Sequence, residues 1–240
     1  MSSSAAISVR VANYQVSATL NPKAGDGLVK TISSMWSSTK HVADLMGILS
    51  KGAKFLSSLV PHTAKHYVSH IEEGAGDARN WLSVPYALTV AQNFREEPTV
   101  RNGVEGGKIF GFAAAAMLPD SAKIAKFAGL FGIALDAIDI TNELETKASY
   151  EDLTNVQMDP EVKQVIDNQL WQSTCKILKL ALTLFTGVIA ASAWLFGVVV
   201  PPALATAALV SSIGALALSF SMGYAENKAE WKAKITPVAV

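Results

Sequence analysis

The side chains best able to do chemistry are grouped in two places. His62, His66 and His70 recur at i, i+4 and i+8, and Glu73 follows. On a helix these positions stack along one face, a turn apart, and neutral imidazoles four residues apart can share a zinc ion. The outer pair lies about 12 Å apart at 1.5 Å rise per residue, too far for one ion. His66, His70 and Glu73 are therefore the metal-ligating set that the spacing allows. No HExxH is present and no second cluster follows, so a solvated polar face is the expected role, with a pH-sensitive face as the other alternative. Asp136 and Asp139 are three residues apart and could pair as acid and base, but carboxylates at the end of an apolar helix are expected to form its solvated edge. No GxSxG, CxxC or Rossmann-type fingerprint is present. Gly103, Gly106 and Gly107 are too loosely placed for a phosphate loop and read as a turn. With no nucleophile beside a credible base, neither an enzyme nor a cofactor is expected. The single cysteine, Cys175, excludes an internal disulfide and reads as a small apolar residue.

The element that positions everything else is a charge-free run from Leu180 to Ala225, interrupted only by Pro201-Pro202. A membrane-spanning helix needs about 20 apolar residues, and each side of the diproline has that length. The expected fold class is all-α: a helical-bundle front domain followed by a two-helix transmembrane hairpin, with spans at about 180–200 and 203–224 and a turn at Pro201 and Pro202. In the second span Ala203, Ala207, Ser211, Ala215, Ser219 and Gly223 repeat every four residues, a pattern expected to pack against another helix in lipid. Thr183, Gly187, Ala190, Ala191 and Gly197 answer from the first span. Lys176 and Lys179 precede the hairpin, Lys228, Lys232 and Lys234 follow it, and the turn carries no charge, so both termini are expected on the cytoplasmic side. The bilayer is thus the first expected partner, with a second copy of the chain or cytosolic proteins as further ones. The 20 basic and 20 acidic residues cancel, which argues against nucleic acid.

Ahead of the hairpin, the chain divides into a flexible segment 1–25, a helical domain 26–145, a linker 146–159 and an amphipathic stem 160–179; a cytoplasmic tail, 226–240, follows it. Ile7 to Leu20 alternate with a period of two, which suits a strand pair broken near Asn13, although no other segment offers a partner strand. From Leu28 to Val60 apolar residues step by four and three along one helix capped at Asp26, and a helix packed inside a bundle is expected. A helix from Pro61 to Glu73, a hinge at Gly74–Gly76 and a helix from Asp77 to Arg95 follow, the last kinked at Pro85 with Trp81, Val84, Leu88, Ala91 and Phe94 inward. Arg95–Pro98 and Arg101–Gly103 read as exposed loop. Lys108–Leu118 and Ala125–Ile140 read as buried helices, with helices at the bilayer interface as the alternative. Glu143–Gln157 reads as polar and turn-like. Asp159-Pro160-Glu161 starts a long helix that feeds into the first span.

The bilobed hairpin with cytosol-facing flanks and the Ser-rich start MSSSAAIS resemble the inclusion membrane (Inc) proteins of chlamydiae. The resemblance is architectural and covers the hairpin and the first few residues; many such proteins place the hairpin early, whereas here it begins at residue 180. It implies a type III secretion signal within Met1–Ser8, insertion into a host vacuole or inclusion membrane, and a front domain that recruits host proteins. Two other classes share features of the chain. Peroxisome-proliferating peroxins are similar in size and remodel membranes with amphipathic helices, and helical pore-forming proteins conceal an apolar hairpin inside a soluble bundle.

Overall fold

A computed structural model describes residues 6–11, 14–20, 39–118, 121–228 and 231–237. They fold into six helices and three short strands. The helices are α1 (Thr39–Ser57), α2 (His62–Glu96), α3 (Val100–Met117), α4 (Ser121–Thr154), α5 (Pro160–Phe196) and α6 (Pro202–Lys228). The strands are β1 (Ala6–Val11), β2 (Tyr14–Leu20) and β3 (Trp231–Pro237). The chain forms two compact units, neither continuous in sequence. One comprises residues 1–34, 141–177 and 220–240, and the other 35–140 and 178–219.

In the first unit the strands form an antiparallel sheet in the order β1-β2-β3. Val9 faces Val16 across β1–β2, and Val16 faces Ile235 across β2–β3. The alternation of Ile7 to Leu20 thus gives the expected strand pair, and its break near Asn13 lies outside the described residues. The missing partner is the C-terminal segment, so 231–237 is a strand and not a free tail. A sheet of three strands with one face packed against helices can be stable where an isolated hairpin is marginal. Val16 of β2, Leu153 of α4, and Val162 and Ile166 of α5 form that core, with Met158 against it. Val162, Val165, Ile166 and Ser173 are buried along one face of α5, as an amphipathic stem requires.

The second unit is a bundle built around α1. Val42, Ala43, Leu45, Ile48, Ala53 and Phe55 are buried, spread around most of the helix circumference. A helix with buried residues on most sides must lie inside a bundle. The expectation of a packed α1 therefore holds, although Leu49, on the four-three stripe, is 39% exposed; the Asp26 cap and residues 28–38 lie outside the described residues.

Helix α2 corrects two expectations. It runs unbroken through Gly74–Gly76 and Pro85, because every helical hydrogen bond around the glycines can still form and Pro85 is on the exposed side, where a lost backbone bond is solvated. Its inward face is Val68, Ala75, Asn80, Ser83, Ala87 and Val90, whereas Trp81 and Leu88 are 59% and 79% exposed. The large residues turned out and small or polar ones turned in: Ser83 donates to the Arg79 carbonyl, so its hydroxyl needs no other partner.

Arg101–Gly103 lie in the first turn of α3, not in a loop, because Thr99 caps the helix by accepting from the Asn102 N–H. The polar stretch 143–157 is likewise helical as far as Thr154, and the break is confined to residues 155–159. Gly107 and Gly111 let α3 lie close against α4. A Cβ on Gly111 would stand 2.7 Å from that of Ala128, and one on Gly107 would stand 2.8 Å from the Phe131 ring. One face of this pair is buried through Ile109, Phe112, Ala113 and Ala128, while Phe110, Met117, Phe127 and Phe131 remain exposed on the other.

The hairpin has the expected form. Gly197 takes the left-handed conformation (φ 63°) that ends α5. Pro202 opens α6 at a position where its missing N–H costs nothing, and the Ala205 N–H donates to the Pro201 carbonyl. Val162–Phe196 and Pro202–Ala225 are long and apolar enough to cross a membrane. The two glycine environments give opposite mutational expectations in thermal melts. Gly111→Ala forces α3 and α4 apart and lowers stability by about 1–3 kcal/mol. Gly74→Ala, with open space at its Cβ, raises stability by up to about 1 kcal/mol in a continuous helix.

Candidate functional site: a charged cavity in the helical bundle

Within the apolar second unit, α1 carries charge inward on one face. Lys40, Asp44, Gly47 and Lys51 step by four, three and four, so they stay aligned along the helix. They line a cavity of about 130 Å³ together with Arg79 of α2, Lys108 and Phe112 of α3, Asp136 and Asp139 of α4, and Lys179 and Thr183 of α5.

The charges are organised as a network. Glu105 of α3 is buried and accepts from Lys40 (2.8 Å), Tyr86 (3.1 Å) and Arg101 (3.2 Å). Arg101 holds Asp139 with two donors, Nε at 2.6 Å and Nη2 at 3.1 Å, the forked geometry that makes such pairs strong. Lys108 donates to Asp44 at 3.3 Å and joins α3 to α1. Arg79 lies with its guanidinium 3.8 Å from the centre of the Phe112 ring. Gly47 makes room for it, since a Cβ there would be 3.1 Å from the Arg79 Cδ. Arg79 Nη2 reaches Asn80 at 3.3 Å, but its Nε is buried and has no hydrogen-bond partner among the described residues.

Burial and pairing pull the protonation equilibria in different directions. Burial alone would raise Asp44 and Glu105, yet both sit below the usual carboxylate range. Lys108, Lys179 and Lys40 hold Asp44 down, and Lys40 and Arg101 hold Glu105 down. Lys51 behaves in the opposite way: burial, aided by Arg79 and Lys108, lowers it to about 8 against the opposing pull of Asp136. Burial likewise lowers Arg79 to about 10 and raises Asp136.

Asp136 and Asp139 are therefore not a solvated edge. Asp139 is bound to Arg101 and Asp136 lines the cavity, because the helix face that carries them turns toward the charges of α1 and α3.

The histidines lie elsewhere and are exposed. His66 and His70 meet through their Nε2 atoms at 3.1 Å, whereas Glu73 lies 4.0 Å from Nδ1, on the opposite edge of the His70 ring. The trio does not converge on one point. Among the described residues no three His, Cys, Asp or Glu side chains come together as a metal site.

The chain matches no family model, no curated protein and no solved structure. Whatever it does must be read from its own residues.

The small-residue face of α6 is placed differently from the strict four-residue repeat. Ser211, Ala215 and Ser219 are buried and Gly223 is half-buried, but Ala203 and Ala207 are exposed. The buried stripe is Ala205, Ala208, Ser212, Ala215 and Ser219. Residues four apart advance about 400° at about 100° each, so a strict repeat drifts off any one face, while alternating threes and fours stay on it. This stripe meets α1: Phe55 packs on Ala205 and Ala208, and a Cβ on Gly52 would be 3.2 Å from that of Ser212. Gly187 of α5 instead faces Ile133 of α4, at 2.9 Å from its Cβ position. Of the topology-setting lysines, Lys179 points into the cavity and Lys176 pairs with Glu143. Lys228 ends α6, and Lys232 and Lys234 lie on β3.

Sequence reasoning passed over Lys40, Asp44, Lys51, Arg79, Glu105 and Lys108. The available signal was ionisable residues recurring at helical spacing inside apolar helices, which must pair or face a cavity. Replacing Glu105 tests the network. Its lowered pKa contributes stability that is fully present above its ordinary value of about 4.3 and is lost as pH falls through the lower folded value. Glu105→Gln is expected to cost about 1–3 kcal/mol at pH 7 by removing the carboxylate that pairs Lys40, while Arg101 keeps Asp139. It also flattens the fall in melting temperature below about pH 4.

Proposed function

We propose that this chain is an integral membrane protein anchored by the α5–α6 hairpin, with both termini on the cytoplasmic side, that acts by presenting its helical surface to partners. The observation that carries the reading is the outward face of the hairpin. In the most apolar windows of the two helices only 11% and 33% of residues are buried. Phe185, Val188, Leu195, Phe196, Val210 and Ile213 are all exposed. An exposed apolar surface of this extent requires lipid or a partner.

A concealed hairpin of the pore-forming kind would need those faces covered, so permanent anchoring is the better-supported of the two. Trp194, near the hairpin turn, is of the residue type suited to the far interface. Lys176, Lys228, Lys232 and Lys234 flank the hairpin on the side assigned to the cytoplasm, against an uncharged turn. In its finer form, the proposal places the protein in a host vacuole or inclusion membrane after type III secretion, supported by the Ser-rich start and the bilobed hairpin.

Membrane fractions from expressing cells test the anchor. The protein is expected to resist alkaline carbonate extraction. In a Cys175→Ser background, a cysteine at Val199 is expected to react with an impermeant thiol reagent only from the face opposite to one placed at Ala225. Release by carbonate, or labelling of both from the same face, contradicts the hairpin reading. For the finer form, residues 1–21 fused to a reporter are expected to direct export from a type III-competent bacterium, and retention would remove that form.

A further inference from the structure

The cavity in the bundle holds more positive than negative charge once its pairs are counted. Lys40 is held by Glu105, Lys108 by Asp44, and Asp139 by Arg101. The side chains left facing the space are Lys51, Arg79 and Lys179, opposed by one carboxylate, Asp136. Among the described residues neither Lys51 nor Lys179 has a carboxylate within ion-pair distance. Arg79 is fixed between Gly47 and the Phe112 ring, with a buried Nε that lacks a partner among the described residues.

Uncompensated cations inside a protein are costly, and native interiors keep such groups paired or place them where a ligand will pair them. A forked guanidinium and two ammonium groups are the donor set that recognises a tetrahedral oxyanion. The volume is suitable as well: about 130 Å³ is several times the roughly 10–15 Å³ that a cavity needs, in the same measure, to hold one water.

We propose that this cavity binds a small oxyanion of the phosphate class, either free in solution or as the headgroup phosphate of an acidic lipid, with Lys51, Arg79 and Lys179 supplying the charge. The low proton affinity of Lys51, about 8, agrees with this arrangement. Burial and the neighbouring cations already disfavour its proton, and a bound anion would restore it. Lys51→Met should therefore do two opposite things: relieve crowding in the empty protein and remove the response to the ligand.

The test is the melting temperature of the full chain in neutral detergent micelles. It is read against inorganic phosphate, with chloride at equal ionic strength as the control, and against micelles doped with phosphatidate or with phosphatidylcholine. Saturating phosphate is expected to raise the melting temperature by about 5 °C. A rise with phosphatidate alone would assign the site to a lipid headgroup. Lys51→Met is expected to melt higher than wild type without ligand and to lose the rise. Lys179→Met, a second variant in case the first does not fold, loses the rise too. Lys176→Met, which lies outside the cavity, keeps it. No rise with either probe overturns the proposal, as does a rise that survives in both cavity variants. The free-phosphate arm does not rest on the membrane reading, so carbonate extraction and phosphate response fail independently.

Discussion

Asp44 is carried by α1, the helix that the rest of the bundle encloses, and a carboxylate in that position must be compensated by neighbouring helices. The compensation is distributed. Lys108 of α3 meets Asp44 and Lys179 of α5 adds to the field on it, whereas Lys51 has Asp136 of α4 only beyond ion-pair distance. The Lys108–Asp44 pair fixes the rotation of α1 against α3, because turning either helix would leave a buried charge alone. The same constraint accounts for Glu105, which ties α1, α2 and α3 together through Lys40, Tyr86 and Arg101. A purely apolar bundle of these lengths could repack in several registers; the charged centre selects one.

Small residues make that selection possible by letting backbones come close. Gly107 and Gly111 bring α3 onto α4, Gly47 admits Arg79, and Gly52 sets α1 against Ser212 of α6. In lipid, where burying apolar area yields little, close packing of this kind is a principal source of helix association. Ala205, Ala208 and Ser212 of the α6 stripe thus meet α1. The hairpin is a structural part of the second unit as well as its apolar surface.

Much of this was legible in the residues alone. The Leu180–Ala225 run, its diproline turn and the start at Pro160 depend on length, charge and proline geometry, which are local properties, and they hold. The alternation of Ile7 to Leu20 showed the strands, but their partner lies more than 200 residues away, at 231–237, and pairing over that distance leaves no local mark. Where Gly74–Gly76 suggested a hinge, α2 is continuous, because the glycines keep their helical hydrogen bonds. The charged cavity was missed because each of its residues, taken singly, looks like an ordinary surface lysine or aspartate. Only the superposition of five helices shows that they share one interior.

The central claim is that the Asp44 carboxylate on α1 is compensated from a neighbouring helix, and a double-mutant cycle between Asp44 and Lys108 tests it most directly. Asp44→Asn and Lys108→Met, alone and together, are compared by unfolding of the detergent-solubilised chain. Compensation predicts a coupling of about 1 kcal/mol or more, with the double variant more stable than the summed single losses imply. Additivity to within about 0.5 kcal/mol would mean that the two charges do not meet and would contradict the account.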